Sequence, residues 1–133
     1  MNTDTANFLE TVLFAYPEDD TLRNKSVYDF APAFVAGVDS FISGFRDYLD
    51  AHNVDIPDSD HSFGGNVYFS LSGHGCGFRD DRETEHLHNL LVSYSGSKYR
   101  FEQLDLTEDE DGELDLAFLP QFRDEYRTKL FSV

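Results

Sequence analysis

The chain has 133 residues, of which 26 are acidic and 10 are Lys or Arg, for a formal net charge of −16. That length suits about one domain able to bury a core without disulfides or a structural metal, and a content of 40% hydrophobic and 15% aromatic residues argues against intrinsic disorder. A negative field of this size repels DNA, RNA and anionic lipid, so direct binding to nucleic acid or membrane is disfavoured and a positively charged partner is favoured.

Thr5 to Tyr16 carries Phe8, Leu9, Val12, Leu13 and Tyr16 at helical spacing, which predicts a first helix with Thr3 or Asp4 as N-cap and Pro17 as its end. Glu18 to Ser26 is polar and turn-like. Pro32 suits the first turn of a second helix, near 32–51, whose apolar stripe runs through Phe34, Val38, Phe41, Ile42, Phe45, Tyr48 and Leu49. Gly37 and Gly44 in that helix each cost about 1 kcal/mol relative to Ala, which close packing against a neighbour would repay.

Asn53 to Ser62 reads as a loop. Val67, Phe69 and Leu71 then alternate with Tyr68 and Ser70, the period of a strand with one buried face, and Gly73, Gly75 and Gly77 permit a bulged turn into a return strand at Phe78. A hairpin over 66–79 is therefore expected. Arg82 to Tyr94 predicts a third helix capped by Asp80 or Asp81 and ended by Gly96. Strands are expected near 98–106 and 113–118 across the acidic turn Thr107 to Gly112, followed by a last helix from Pro120 with Phe122, Tyr126 and Leu130. The order ααββαββα implies a single α+β domain over 1–133, with a small, mainly antiparallel sheet packed on the long helix.

The run Gly73-His74-Gly75-Cys76-Gly77-Phe78-Arg79-Asp80 resembles a signature of small bacteriophage accessory proteins, in which an aromatic strand leads into N-G-H-G-A-G-F-W-D. The flanks agree in order, including an acidic turn near Glu18 to Asp20 and a Tyr-Asp-Phe-Ala-Pro helix start at 28–32. The resemblance spans roughly residues 8–106 and departs at Ser72, where Asn is usual, at Arg79, where Trp is usual, and after Leu106. It implies a phage or prophage protein made in the bacterial cytoplasm and supplies no activity. A cytoplasmic setting also fits the single Cys76, the lack of a basic-then-apolar leader pattern and the lack of an apolar run long enough to cross a bilayer. The sequon Asn24-Lys25-Ser26 would then be incidental.

His74 and Cys76 invite a nucleophile or metal reading. A catalytic thiol needs an orienting base and a positive environment, and zinc needs more ligands than this turn offers. His86 and His88 do not complete a site on one helix face, because residues two apart point about 200° away from each other. A structural turn of Gly73, His74, Gly75, Gly77 and Asp80 is the expectation, with no catalytic residue, metal or cofactor. An EF-hand register over Thr107 to Gly112 fails as well: it puts Thr107 at the first position and Phe118 at the twelfth, where carboxylates belong.

Eight carboxylates lie between Phe101 and Asp115 with no Lys or Arg among them: Glu102, Asp105, Glu108, Asp109, Glu110, Asp111, Glu113 and Asp115. A solvated face is the plain interpretation. Carboxylates two apart on a strand are about 6.6 Å apart, however, close to the phosphate spacing of a nucleic-acid strand. Asp39, Asp47 and Asp50 on the second helix could extend such a surface.

The leading expectation is a phage-encoded inhibitor or modulator that binds a host nucleic-acid-handling or defence protein, such as a restriction or CRISPR component, through an acidic surface imitating nucleic acid. It is not expected to be an enzyme. The rivals are a small enzyme or ligand-binding protein using the Gly73–Gly77 turn, which a pocket lined by Tyr68, His74 and Phe78 would favour, and a self-associating accessory protein such as a homodimer. High-salt adaptation also remains open, since only Lys25, Lys98 and Lys129 are present.

Overall fold

The structure, a computed structural model, describes residues 1–15, 24–58, 61–72, 77–95 and 104–118. Among them are four helices, α1 (Thr3–Ala15), α2 (Pro32–Ala51), α3 (Phe63–Ser72) and α4 (Glu85–Ser95), and two short strands, β1 (Leu104–Glu108) and β2 (Leu114–Phe118). The predicted last helix from Pro120, and helix ends at Pro17 and Gly96, lie outside the described residues.

The α+β expectation is overturned. The described residues are mostly helical, and the segment expected to form the hairpin over 66–79 is α3 followed by a 3₁₀ turn at Phe78–Asp80. The physical reason lies in burial. Strand reading from alternation presumes one wet face, but Gly64, Gly65, Asn66, Val67, Tyr68, Ser70, Leu71 and Ser72 of α3 are all buried. A helix covered on nearly every side carries no polar stripe to betray its period, and tertiary packing overrides the β-propensity of its aromatic and branched residues. Ser62 supplies the start signal, accepting a 3.1 Å hydrogen bond from the Gly65 amide as an N-cap does. Gly64 lets α3 approach α1, since a Cβ there would collide with the Asp4 carbonyl and stand 3.0 Å from the Phe8 amide nitrogen.

Asn2, rather than Thr3 or Asp4, caps α1: its Oδ1 accepts a 2.9 Å bond from the Thr5 amide. Phe8, Leu9 and Val12 are buried as the stripe requires, and the ring of Phe8 meets Tyr68 of α3 edge-on at 5.5 Å. α2 buries Phe34, Val38, Phe41, Ile42, Phe45 and Leu49. It ends where Asn53 takes φ +56°, the Asn53 amide bonding the Asp50 carbonyl and the Val54 amide bonding that of Leu49 at 2.9 Å, the paired closure of a Schellman motif. Phe45, with no exposed surface, sits among the rings of Phe63, Phe78 and Tyr94 at 5.8, 6.4 and 5.4 Å. Burial of such a ring is worth about 1.5–3 kcal/mol before any ring-to-ring contribution.

α4 starts at Glu85, later than the sequence suggests, because Asp81 caps a preceding turn instead: its Oδ1 accepts from the Glu83 amide at 2.9 Å. Buried Thr84 then ties this turn to the Phe78 carbonyl at 2.9 Å.

The strands pair with each other antiparallel, with Leu104 opposite Phe118 and Glu108 opposite Leu114, and Leu114 also forms a single parallel bridge with Phe30. Fully buried Leu114 docks this hairpin on the entry to α2, its carbonyl accepting a 2.7 Å bond from the Ala31 amide. No helix among the described residues is long and apolar enough to cross a membrane.

Candidate functional site

The candidate acids separate into distinct environments. Asp39 is half-buried, and its Oδ1 accepts hydrogen bonds from the buried Thr5 hydroxyl and from Asn2 Nδ2. It therefore fastens α1 to α2. Asp47 and Asp50 are exposed near the far end of α2, about 24–29 Å along the helix axis from Ala31, where the hairpin docks. The structure does not bring these three together with the hairpin acids as one compact surface.

At the hairpin, Glu108, Asp109, Glu110 and Asp111 are exposed, Glu113 and Asp115 are half-buried, and Glu102 lies outside the described residues. Asp109 builds the turn. Its Oδ1 accepts the Asp111 and Glu113 amides at 2.9 and 2.8 Å, while the Gly112 amide bonds the Asp109 carbonyl at 3.0 Å and Gly112 takes φ +78°. Lys25 offsets part of the charge, donating to the Gly112 carbonyl at 2.8 Å and standing 3.5 Å from Glu108. By backbone register, Asp105 pairs with Ala117 and Asp115 with Thr107. Carboxylate oxygens of Asp109, Asp111 and Glu113 come within 4.8 Å of one another, an approach common among exposed acids that hold no ion.

Of the glycine-turn residues, Gly73, His74, Gly75 and Cys76 lie outside the described residues. Gly77 is buried with φ +92°, the left-handed side open to glycine, and the next amide, Phe78, donates to Ser70 Oγ at 3.0 Å. Asp80 is exposed, its amide bonding the Gly77 carbonyl at 3.1 Å. Tyr68 and Phe78 are each 1% exposed and belong to the core.

A groove of about 460 Å³ nevertheless opens beside this turn, between α1, α3 and Asp80. Its apolar lining comes from Phe14 and Phe69, and its polar lining includes Glu10, Asp80, His61 and Asn66. No Lys or Arg lines it among the described residues. Sequence reasoning missed this site, though Phe14 gave a signal: it falls off the buried stripe of α1 and is 74% exposed. His61 and Asn66 also line a second, more polar cavity of about 320 Å³ with Arg46, Asp58 and Thr84.

Arg46 shows how this fold holds a guanidinium. Asp4 accepts from its Nε and, at 2.9 Å, from its Nη2, while the Phe63 ring lies 4.2 Å beneath its Cζ. The hydrogen bond to Asp4 holds the Arg46 pKa above its ordinary value against the opposing effect of burial.

Comparison with protein-family models, with curated proteins and with solved structures gives no match.

Proposed function

We propose that this chain is a phage-encoded inhibitor or modulator that binds a host nucleic-acid-handling or defence protein in the bacterial cytoplasm through carboxylates of the β1–β2 hairpin. The observation that carries this reading is the turn from Glu108 to Asp111, in which four exposed acids stand on a backbone fixed by Asp109. A pre-organised cluster loses less freedom on binding than a flexible acidic tail, so more of its Coulomb attraction reaches the partner. Half-buried Asp115 lies beside this turn on β2, while Asp47 and Asp50 form a separate negative region. Asp39 is excluded from the contact because its carboxylate is engaged between helices.

Affinity capture from a bacterial lysate, repeated with Glu108, Asp109, Glu110 and Asp111 changed together to amides, tests the reading. The amide at position 109 keeps the acceptor that closes the turn, so the fold persists while four charges are removed. Capture of a nucleic-acid-handling protein should weaken in the variant and at high salt, because attraction is screened over about 8 Å at physiological ionic strength. Capture insensitive to both changes overturns the reading. A ternary complex of this chain, the partner and the partner's DNA or RNA overturns imitation of nucleic acid.

A further inference from the structure

The groove beside Gly77 has the chemistry of the Arg46 site without an arginine among its described lining residues. At Arg46 a carboxylate takes the guanidinium edge and a phenylalanine ring takes its face. In the groove, Glu10 and Asp80 supply carboxylates, and Phe14 and Phe69 supply aromatic surface within one concavity. An apolar floor covers the methylene stem of a long cationic side chain, and the acids meet its head. Guanidinium is favoured over ammonium, since its flat, weakly hydrated face stacks on a ring while its edge hydrogen-bonds carboxylate. A carboxylate-bearing occupant would face two like charges, and a purely apolar occupant would desolvate both acids without compensation.

We propose that this groove is a docking site for an arginine side chain presented on an exposed segment of a protein partner. The inference rests on the reading of a cationic partner but assigns a second contact on different elements: the hairpin attracts and the groove selects.

The test uses the full chain, isotopically labelled, titrated with the blocked pentapeptide acetyl-Ser-Gly-Arg-Gly-Ser-amide and followed by amide chemical shifts. Perturbations are expected at Phe14, Phe69, Gly77 and Asp80. The citrulline peptide, of the same shape without the charge, should bind at least tenfold more weakly, and the lysine peptide several-fold more weakly. Glu10→Gln combined with Asp80→Asn should lower affinity at least tenfold, and Phe14→Ala several-fold, with thermal stability retained because these side chains are exposed. The variant with amides at 108–111 should bind the peptide with little loss. Equal binding of the citrulline peptide, or perturbations confined to the hairpin turn, overturns the proposal. Loss of peptide binding on neutralising 108–111 with the groove acids intact overturns it too. Lysate capture that depends on 108–111 alone overturns the groove while leaving the hairpin reading in place.

Discussion

Tyr94 of α4 occupies the notch that Gly44 leaves on α2. The phenol donates a 3.0 Å hydrogen bond to the Phe41 carbonyl, and a Cβ at position 44 would collide with that hydroxyl and lie 3.2 Å from the ring's Cζ. The sequence suggested a close approach at Gly44 without naming the neighbour, and Tyr94 is that neighbour. Gly44→Ala gains about 1 kcal/mol of helix propensity but must displace the ring and break its hydrogen bond. Overpacking of this kind costs about 1–3 kcal/mol, so the net effect should be a loss. Denaturant unfolding of Gly44→Ala, Tyr94→Phe and the double variant checks this. The Ala substitution should cost less in the Phe background, and strictly additive effects would show that the two sites are uncoupled.

The same phenol makes stability fall in alkali. Burial first, and the negative charge of Asp47 second, raise the Tyr94 pKa above its ordinary value. A group with a raised folded-state pKa contributes stability that is complete below its unfolded pKa, about 10 for tyrosine, and is lost as pH rises through the folded value. Phenolate absorbance should therefore show Tyr94 titrating above the ordinary tyrosine range, as a late step that Tyr94→Phe removes. Asp47→Asn should move that step back only in part, since burial is the larger cause; a full return to the ordinary value would reverse that order.

Gly77 is the described glycine turn position where side-chain-free backbone is required. It combines φ +92° with ψ −144°, and a Cβ there would stand 2.7 Å from the Ser70 amide nitrogen and 3.0 Å from the Asn66 carbonyl oxygen. Gly77→Ala adds backbone strain to contact with rigid main chain, for a loss of about 2–4 kcal/mol. Thermal unfolding measures it, and an unchanged midpoint would mean that the turn relaxes at no cost.

The helices of this protein were legible where one face meets water and the other meets the core. α2 shows its stripe from Phe34 to Leu49, and α1 shows Phe8, Leu9 and Val12. α3 was illegible by the same measure, because burial on all sides erases the contrast that periodicity reads; Ser62, three residues before Gly65, was the remaining local sign. The acids were legible as a charge total but not as roles. Nothing in spacing separates Asp39, engaged by Thr5, from Asp47 and Asp50 on the same helix, or marks Asp109 as the residue that builds its turn. The groove joins Glu10, His61 and Asp80 from three stretches of chain, and only their folding together reveals it.

Asp109 allows shape and charge to be separated. Asp109→Asn and Asp109→Ala each remove one negative charge, yet the amide keeps a side-chain oxygen for the Asp111 and Glu113 amides, whereas alanine leaves both to water. These groups are exposed or half-exposed, so the loss should be modest, about 0.5–1.5 kcal/mol for each hydrogen bond forfeited. Hydrogen exchange at the Asp111 and Glu113 amides should accelerate in the alanine variant and stay near the parent rate in the asparagine variant. If a basic partner reads a pre-organised turn, alanine should weaken capture clearly more than asparagine, since it adds the cost of ordering the backbone to the loss of one charge. If the partner reads charge density alone, the two variants should bind alike. That equality, found together with faster exchange in the alanine variant, would remove the fixed turn from the recognition mechanism and leave only the field of the hairpin.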